Sequence, residues 1–255
     1  MTVAVALDKA GVLSELEGIA HGFTSRRGGV SNGALSSLNL ALRADETRAN
    51  LVENWDRVAR SLQPHLSHKD VVLLHQVHGG AVVSVQSARG ALHTHAEADA
   101  AFTLQRGVVL AVRTADCVPV LLATPGGVAV AHAGWRGVAA GIVAATVSAL
   151  ASAVGCSSSE LCVAVGPHIS QAVYQVGDEV VQAFEKASIP ADAFLQQRDH
   201  GLFVDLGAAV CHQLGAAGVQ RFQRVERCTA LDVGLFSHRA DGALTGRQAG
   251  VVVRC

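Results

Sequence analysis

Residues 114–137 read TADCVPVLLATPGGVAVAHAGWRG. Two apolar runs, Val118–Ala123 and Val128–Ala131, are separated by Pro125-Gly126-Gly127, a turn that folds them back into a hairpin. Short, continuous runs of Val, Leu and Ala are the pattern of strands buried on both faces, so this hairpin belongs inside a covered sheet. The fold-back also brings Cys117, just before the first run, and His132, just after the second, to one end of the hairpin. Thiol and imidazole at one sheet end are the material of a metal centre or of an activated nucleophile. The following Gly134-Trp135-Arg136-Gly137 lies between a strand and a helix, where free backbone amides and Arg136 offer an anion contact.

Working outward, further strand-like runs stand at Val71–Leu74, Ala81–Val85, Val108–Val112, Cys162–Val165 and Val251–Val253. Helical periodicity appears over Thr47–Leu62, Val138–Val154, Val176–Lys186 and Leu206–Leu214. Several strands follow one another between residues 71 and 131 before a helix returns. That order predicts an α/β fold with mixed sheets flanked by helices, not a doubly wound parallel sheet. No linker is seen to divide the chain, whose length allows one sizeable domain or two small ones.

Half of the 255 residues are hydrophobic, enough for a large core, and 20 Lys plus Arg stand against 21 Asp plus Glu. A balanced charge speaks against a nucleic acid or a membrane as partner and for a small molecule. The N-terminal stretch carries charge from Asp8 onward and has no signal-like apolar run, which points to a cytoplasmic protein. The six cysteines are scattered with no C-x-x-C pair and read as buried thiols, not as a disulfide framework.

His75 and His78 flank a strand end, and one of them is expected to face the hairpin end. If His78 converges with Cys117 and His132, the two-histidine, one-cysteine set suits zinc with an open coordination position. Without metal, Cys117 and a histidine serve as nucleophile and base. Copper binds similar sets, but its electron-transfer sites call for an axial methionine and Met1 is the only one here. Two loops look suited to anion or substrate handling: TSRRGGVS at 24–31, with Arg26 or Arg27 and adjacent glycines, and SSLNL at 36–40, with Asn39. Arg239 and Arg247 read as salt-bridged turn arginines, and His93-Thr94-His95 as a polar loop.

Taken together, RRGGVS (26–31), SLNL (37–40), QVHG (76–79), ADA (98–100), TADCVPV (114–120), HAGWRG (132–137), GPHI (166–169), YQVG (174–177), CT (228–229) and TGR (245–247) resemble the YfiH family, also called the laccase-domain or polyphenol oxidase family. The resemblance spans nearly the whole chain. It implies a single domain over residues 1–255 with a layered α-β-β-α fold, similar to the deamidase domain of cytotoxic necrotizing factor, with His78, Cys117 and His132 as metal ligands and His75 as a neighbour. It further implies a zinc-dependent purine nucleoside phosphorylase acting on adenosine, inosine and methylthioadenosine with phosphate, together with adenosine deamination. A copper polyphenol oxidase label, a Cys-His amidase acting on a cell-wall precursor, and a non-enzymatic zinc-binding protein are the alternatives. Arg26, Asn39 and Arg136 are then the expected substrate contacts, Arg26 and Arg136 holding phosphate with help from the helix at 138–154. Two positions depart from the family pattern: Ala240 where an arginine usually follows Arg239, and His168 after Gly166-Pro167 where a small residue is common.

Overall fold

The computed structural model describes residues 5–88 and 94–255. In chain order its strands are β1 (Leu7–Asp8), β2 (Ile19–Thr24), β3 (Val71–His75), β4 (Val82–Ser84), β5 (Thr94–Glu97), β6 (Ala100–Thr103), β7 (Val109–Thr114), β8 (Val118–Thr124), β9 (Gly127–Ala133), β10 (Cys162–Val165), β11 (Gln175–Val176), β12 (Leu195–Arg198), β13 (Gly201–Val204), β14 (Arg221–Arg224) and β15 (Gln248–Arg254). The helices are α1 (Gly11–Ser14), α2 (Arg48–Leu62), α3 (Trp135–Ala139), α4 (Ile142–Val154), α5 (Asp178–Lys186), α6 (Leu206–Ala216) and α7 (His238–Asp241).

Two six-stranded sheets carry the fold, ordered β1-β2-β15-β7-β3-β5 and β14-β10-β8-β9-β6-β4, and a three-stranded sheet, β11-β13-β12, stands beside them. Both large sheets are mixed: β3 runs parallel to β5 and β7, β10 parallel to β14 and β4 parallel to β6, while the remaining pairs are antiparallel. The period of two along each strand explains the layering. On β8, Val118, Val120 and Leu122 face one core while Leu121 and Ala123 face another. On β15, Val251 and Val253 pack with α2 whereas Val252 packs between the sheets. Three hydrophobic layers result. One lies under α2, through Leu51, Trp55, Val58, Ala59 and Leu62, one between the sheets, and one under α4 and α6. Each large apolar side chain buried this way contributes roughly 1.5–3 kcal/mol. The order is therefore helix, sheet, sheet, helix, and both faces of the central strands are dry, which is why they read as unbroken apolar runs.

The structure alters several expected boundaries. The hairpin loop is two residues, Pro125 and Gly126, since Thr124 pairs with Gly127. The helix expected over 138–154 is two helices, broken at Gly141, whose φ of 78° is left-handed. Gln175–Val176 forms β11, so the helix expected from Val176 starts at Asp178. Thr94 and His95 belong to β5, not to a loop, and His93 lies outside the described residues. Among the described residues no helix is long and apolar enough to cross a membrane.

Candidate metal centre and active site

The chain passes from the first large sheet to the second at three places: Gln76–Ala81 between β3 and β4, Ala98–Asp99 between β5 and β6, and Ala115–Cys117 between β7 and β8. The first crossing carries His78, the second Asp99 and the third Cys117, and His132 sits near the end of β9. These segments meet. The ligand atoms of His78, Cys117 and His132 all lie within 4.8 Å of one another, and the two imidazole rings cross at 76° with centroids 4.8 Å apart.

Asp99, fully buried, ties the crossings together. Its Oδ1 accepts from His132 Nδ1 at 2.7 Å and from the His78 amide at 3.0 Å, and its Oδ2 accepts from the amides of Val77 and Gly79 at 3.1 and 2.7 Å. The His132 amide in turn donates to the Asp99 carbonyl at 2.7 Å. Burial works against the Asp99 carboxylate, yet His132 and the surrounding amides hold it below its ordinary value. With Nδ1–H committed to Asp99, His132 keeps Nε2 as the free ligand atom, the usual arrangement behind a metal-bound histidine.

Strain concentrates at the same place. His78 has φ of 61° and Asp116, beside Cys117, has φ of 97°. Side chains seldom adopt this region, and such conformations persist where bonds over-determine them. Asp99 does so for His78. Asp116 is held by Thr229 Oγ1 and Ser237 Oγ at 2.7 Å and by the Arg239 amide at 2.7 Å. Gly134 closes the back of the cluster, since a Cβ there would stand 2.9 Å from Cys117 Sγ and 3.0 Å from His78 Cδ2.

Burial alone would raise the Cys117 thiol, but His132 and His78 bring it down to about 6. Burial would likewise depress His132, and the opposing pull of Cys117 and Asp99 raises it to about 9. The pair therefore favours thiolate and imidazolium. Such an anionic sulfur between two imidazoles fits a divalent metal, which replaces the protons as the positive partner.

The cluster opens on a cavity of about 710 Å³. Its wall includes His78, Cys117 and His132 together with Arg43, Arg113, Arg239, Arg247 and Tyr174. His75 stands at the mouth, exposed, 3.6 Å from Glu97, and is not part of the cluster. His168 is buried elsewhere, its Nδ1 2.7 Å from the Gly166 carbonyl and its other edge against Gly207 of α6.

Arg26, Asn39 and Arg136, the expected substrate contacts, are not among the residues lining this cavity. Arg26 bonds the carbonyls of Ser36 and Ala34 and stacks on Phe236, and Arg136 is exposed and stacks on Trp135. Asn39 is buried with its amide engaged by Ala41, Glu46 and the Arg247 backbone. The Arg26–Ser31 loop is likewise a brace: the amides of Gly29, Val30 and Ser31 are taken by Ser37, Asn54 and the Ser37 carbonyl. The guanidiniums of Arg239 and Arg247, expected in salt bridges, have no carboxylate partner among the described residues and line the cavity instead. Arg43 and Arg113 were not singled out by sequence. The available signal for Arg113 is a charged residue inside the apolar run VVLAVRT, which needs a reason to be there.

The sequence pattern of the family described as multi-copper polyphenol oxidoreductase laccase matches residues 20–255. The chain belongs to this family. Among relatives of this laccase-like family, a purine nucleoside phosphorylase of Pseudomonas aeruginosa is 37% identical over 233 residues, covering 90% of each chain. The purine nucleoside phosphorylase YfiH of Escherichia coli is 34% identical over 239 residues, covering 92% of this chain and 94% of its own. The crystal structure of YlmD from Geobacillus stearothermophilus superposes with a TM-score of 0.88 at 34% identity, covering 96% of this chain and 94% of that one. The mixed α/β architecture is thus that of solved family members.

Proposed function

We propose that the chain is a zinc-dependent purine nucleoside phosphorylase acting on adenosine, inosine and methylthioadenosine, with adenosine deamination as a second activity. The observation that carries this reading is the meeting of His78, Cys117 and His132 on the wall of a cavity large enough for a nucleoside. Relatives named purine nucleoside phosphorylase support the substrate class. In phosphorolysis a phosphate oxygen bonds to C1′ of the ribose, the C1′–N9 bond breaks, and the purine leaves with the electron pair. A zinc ion held by His78, Cys117 and His132 would supply Lewis acidity at one end of the cavity. Asp99 orients His132, Gly134 leaves room for the cluster, and Tyr174 offers an aromatic wall to a purine ring. Zinc is preferred to copper because the donor set has no thioether: the only methionine in the sequence is Met1, and no methionine is among the described residues that line the cavity. Six free thiols agree with a reducing, cytoplasmic setting.

The test is incubation of zinc-replete protein with adenosine and phosphate. Release of adenine and ribose 1-phosphate is expected, with Cys117→Ala inactive. No turnover, or a Cys117→Ala variant equal to wild type, sinks the reading.

One observation favours a second reading. Cys117, His132 and Asp99 form a relay of acidified thiol, imidazole and buried carboxylate, the arrangement of a cysteine hydrolase. An amidase of this kind keeps its activity under chelation and loses it to a thiol alkylator, whereas the zinc enzyme loses it to both.

A further inference from the structure

The cavity wall carries four arginines against a single carboxylate, Asp116, both of whose oxygens are already hydrogen-bonded. Arg43 and Arg247 converge on one atom: Arg43 Nε and Nη2 lie 3.3 and 3.2 Å from the Thr245 carbonyl, and Arg247 Nη1 lies 3.1 Å from it. Arg113 donates through Nη2 to the Leu74 carbonyl at 2.9 Å and stands on β7, beside the start of β15 that follows Arg247. The partners of these three guanidiniums among the described residues are backbone carbonyls, and each keeps N–H groups directed to none of them. Burial first, and then the proximity of Arg43, lowers both Arg113 and Arg247 below the ordinary arginine value, while Cys117 and Asp116 pull Arg247 the other way. Arg247 and Cys117 line the same cavity. Like charges gathered in a half-buried wall are unfavourable unless an anion completes them. Guanidinium forks match the oxygens of phosphate in pairs.

We propose that Arg43, Arg113 and Arg247 form a phosphate seat beside the metal ligands, in place of the Arg26 and Arg136 contacts suggested by sequence. This rests on the phosphorolysis reading for which phosphate is meant: the free anion that attacks C1′, not the ester of a nucleotide. Charge, donor geometry and nearness to Cys117 are shared by both sources, so the experiment separates them.

Inorganic phosphate is titrated into the purified protein by isothermal calorimetry, with adenosine 5′-monophosphate as a second arm, and KM for phosphate and for inosine is measured alongside. The proteins are wild type, Arg43→Gln, Arg247→Gln and Arg247→Lys, with Arg60→Gln on α2 as control and a thermal melt to verify folding. Loss of charge-assisted bonds is expected to weaken phosphate binding and raise its KM by about tenfold or more in the Gln variants. Arg247→Lys, keeping the charge and losing the fork, should fall between, and KM for inosine and the control should stay within about twofold of wild type. Should Arg43→Gln misfold, the Arg247 pair alone decides the result. Phosphate that fails to bind wild type, or that binds all variants equally, overturns the seat. Binding of the monophosphate alone, lost with Arg247, overturns the free-phosphate assignment. Arginine-dependent phosphate binding without inosine cleavage keeps the seat and removes the phosphorolysis reading; cleavage with an unaltered phosphate KM does the reverse.

Discussion

Asp99 is the residue on which the cluster's geometry depends. It accepts from His132 and from three consecutive amides of the turn bearing His78, so two of the candidate ligands are aimed by one carboxylate. Asp99→Asn keeps the shape but turns an acceptor into a partial donor and offers His132 the wrong tautomer. Metal affinity is expected to fall about 10–100-fold. Competition with a chromophoric chelator measures it, and an unchanged affinity would remove Asp99 from this role. Cys117 and His132 were legible because they bracket a hairpin, and His78 followed from the resemblance, not from spacing. Asp99 was visible only as part of ADA, with no hint of its partners. The left-handed φ of His78 and Asp116 leaves no mark in residue type, and Arg239 and Arg247 were read as ion-paired because a lone sequence shows no partner.

At the scale of elements, the strands were largely readable and the helix boundaries less so. Continuous apolar runs marked β3, β7, β8, β9 and β10 because both faces of these strands are buried. The break between α3 and α4 was not readable, since Ala139-Ala140-Gly141 is compatible with helix; in the fold, Gln213 of α6 donates to the Val138 carbonyl at 2.8 Å and helps terminate α3. The junction of α1 with β2 supports a pH prediction. His21 of β2 is buried and its Nε2 accepts from the Ala10 amide, which caps α1, at 3.1 Å. Burial lowers its pKa from 6.5 to about 4. A depressed histidine is neutral when folded and takes up its proton more readily when unfolded. Its stabilising effect is therefore complete above about pH 6.5 and is lost as pH falls toward about 4. His21→Gln lacks this titration. The stability gap between wild type and variant in urea unfolding should shrink by about 2 kcal/mol between about pH 7 and about pH 4.5. A gap independent of pH contradicts the assignment.

For the whole molecule, the site is a property of how two sheets are joined. Each of the three crossings, at 76–81, 98–99 and 115–117, is unremarkable alone, and sequence periodicity ends where each begins. Their coincidence depends on strand order, which places β3, β5 and β7 in one sheet and β4, β6 and β8 in the other. A metal held by His78, Cys117 and His132 would then pin two of these crossings to β9 and act as a clamp between the sheets. Ligands that bind only the folded state stabilise it by mass action. Stripping the protein with a chelator is expected to lower its melting temperature by at least about 5 °C, a shift corresponding to a few kcal/mol for a chain of this size. One equivalent of zinc should restore it. Cys117→Ser, with a poorer ligand, should melt near the stripped value and gain little from zinc. Scanning calorimetry on the four samples decides the matter: a stripped protein that melts with wild type would show that the two sheets hold together without the clamp.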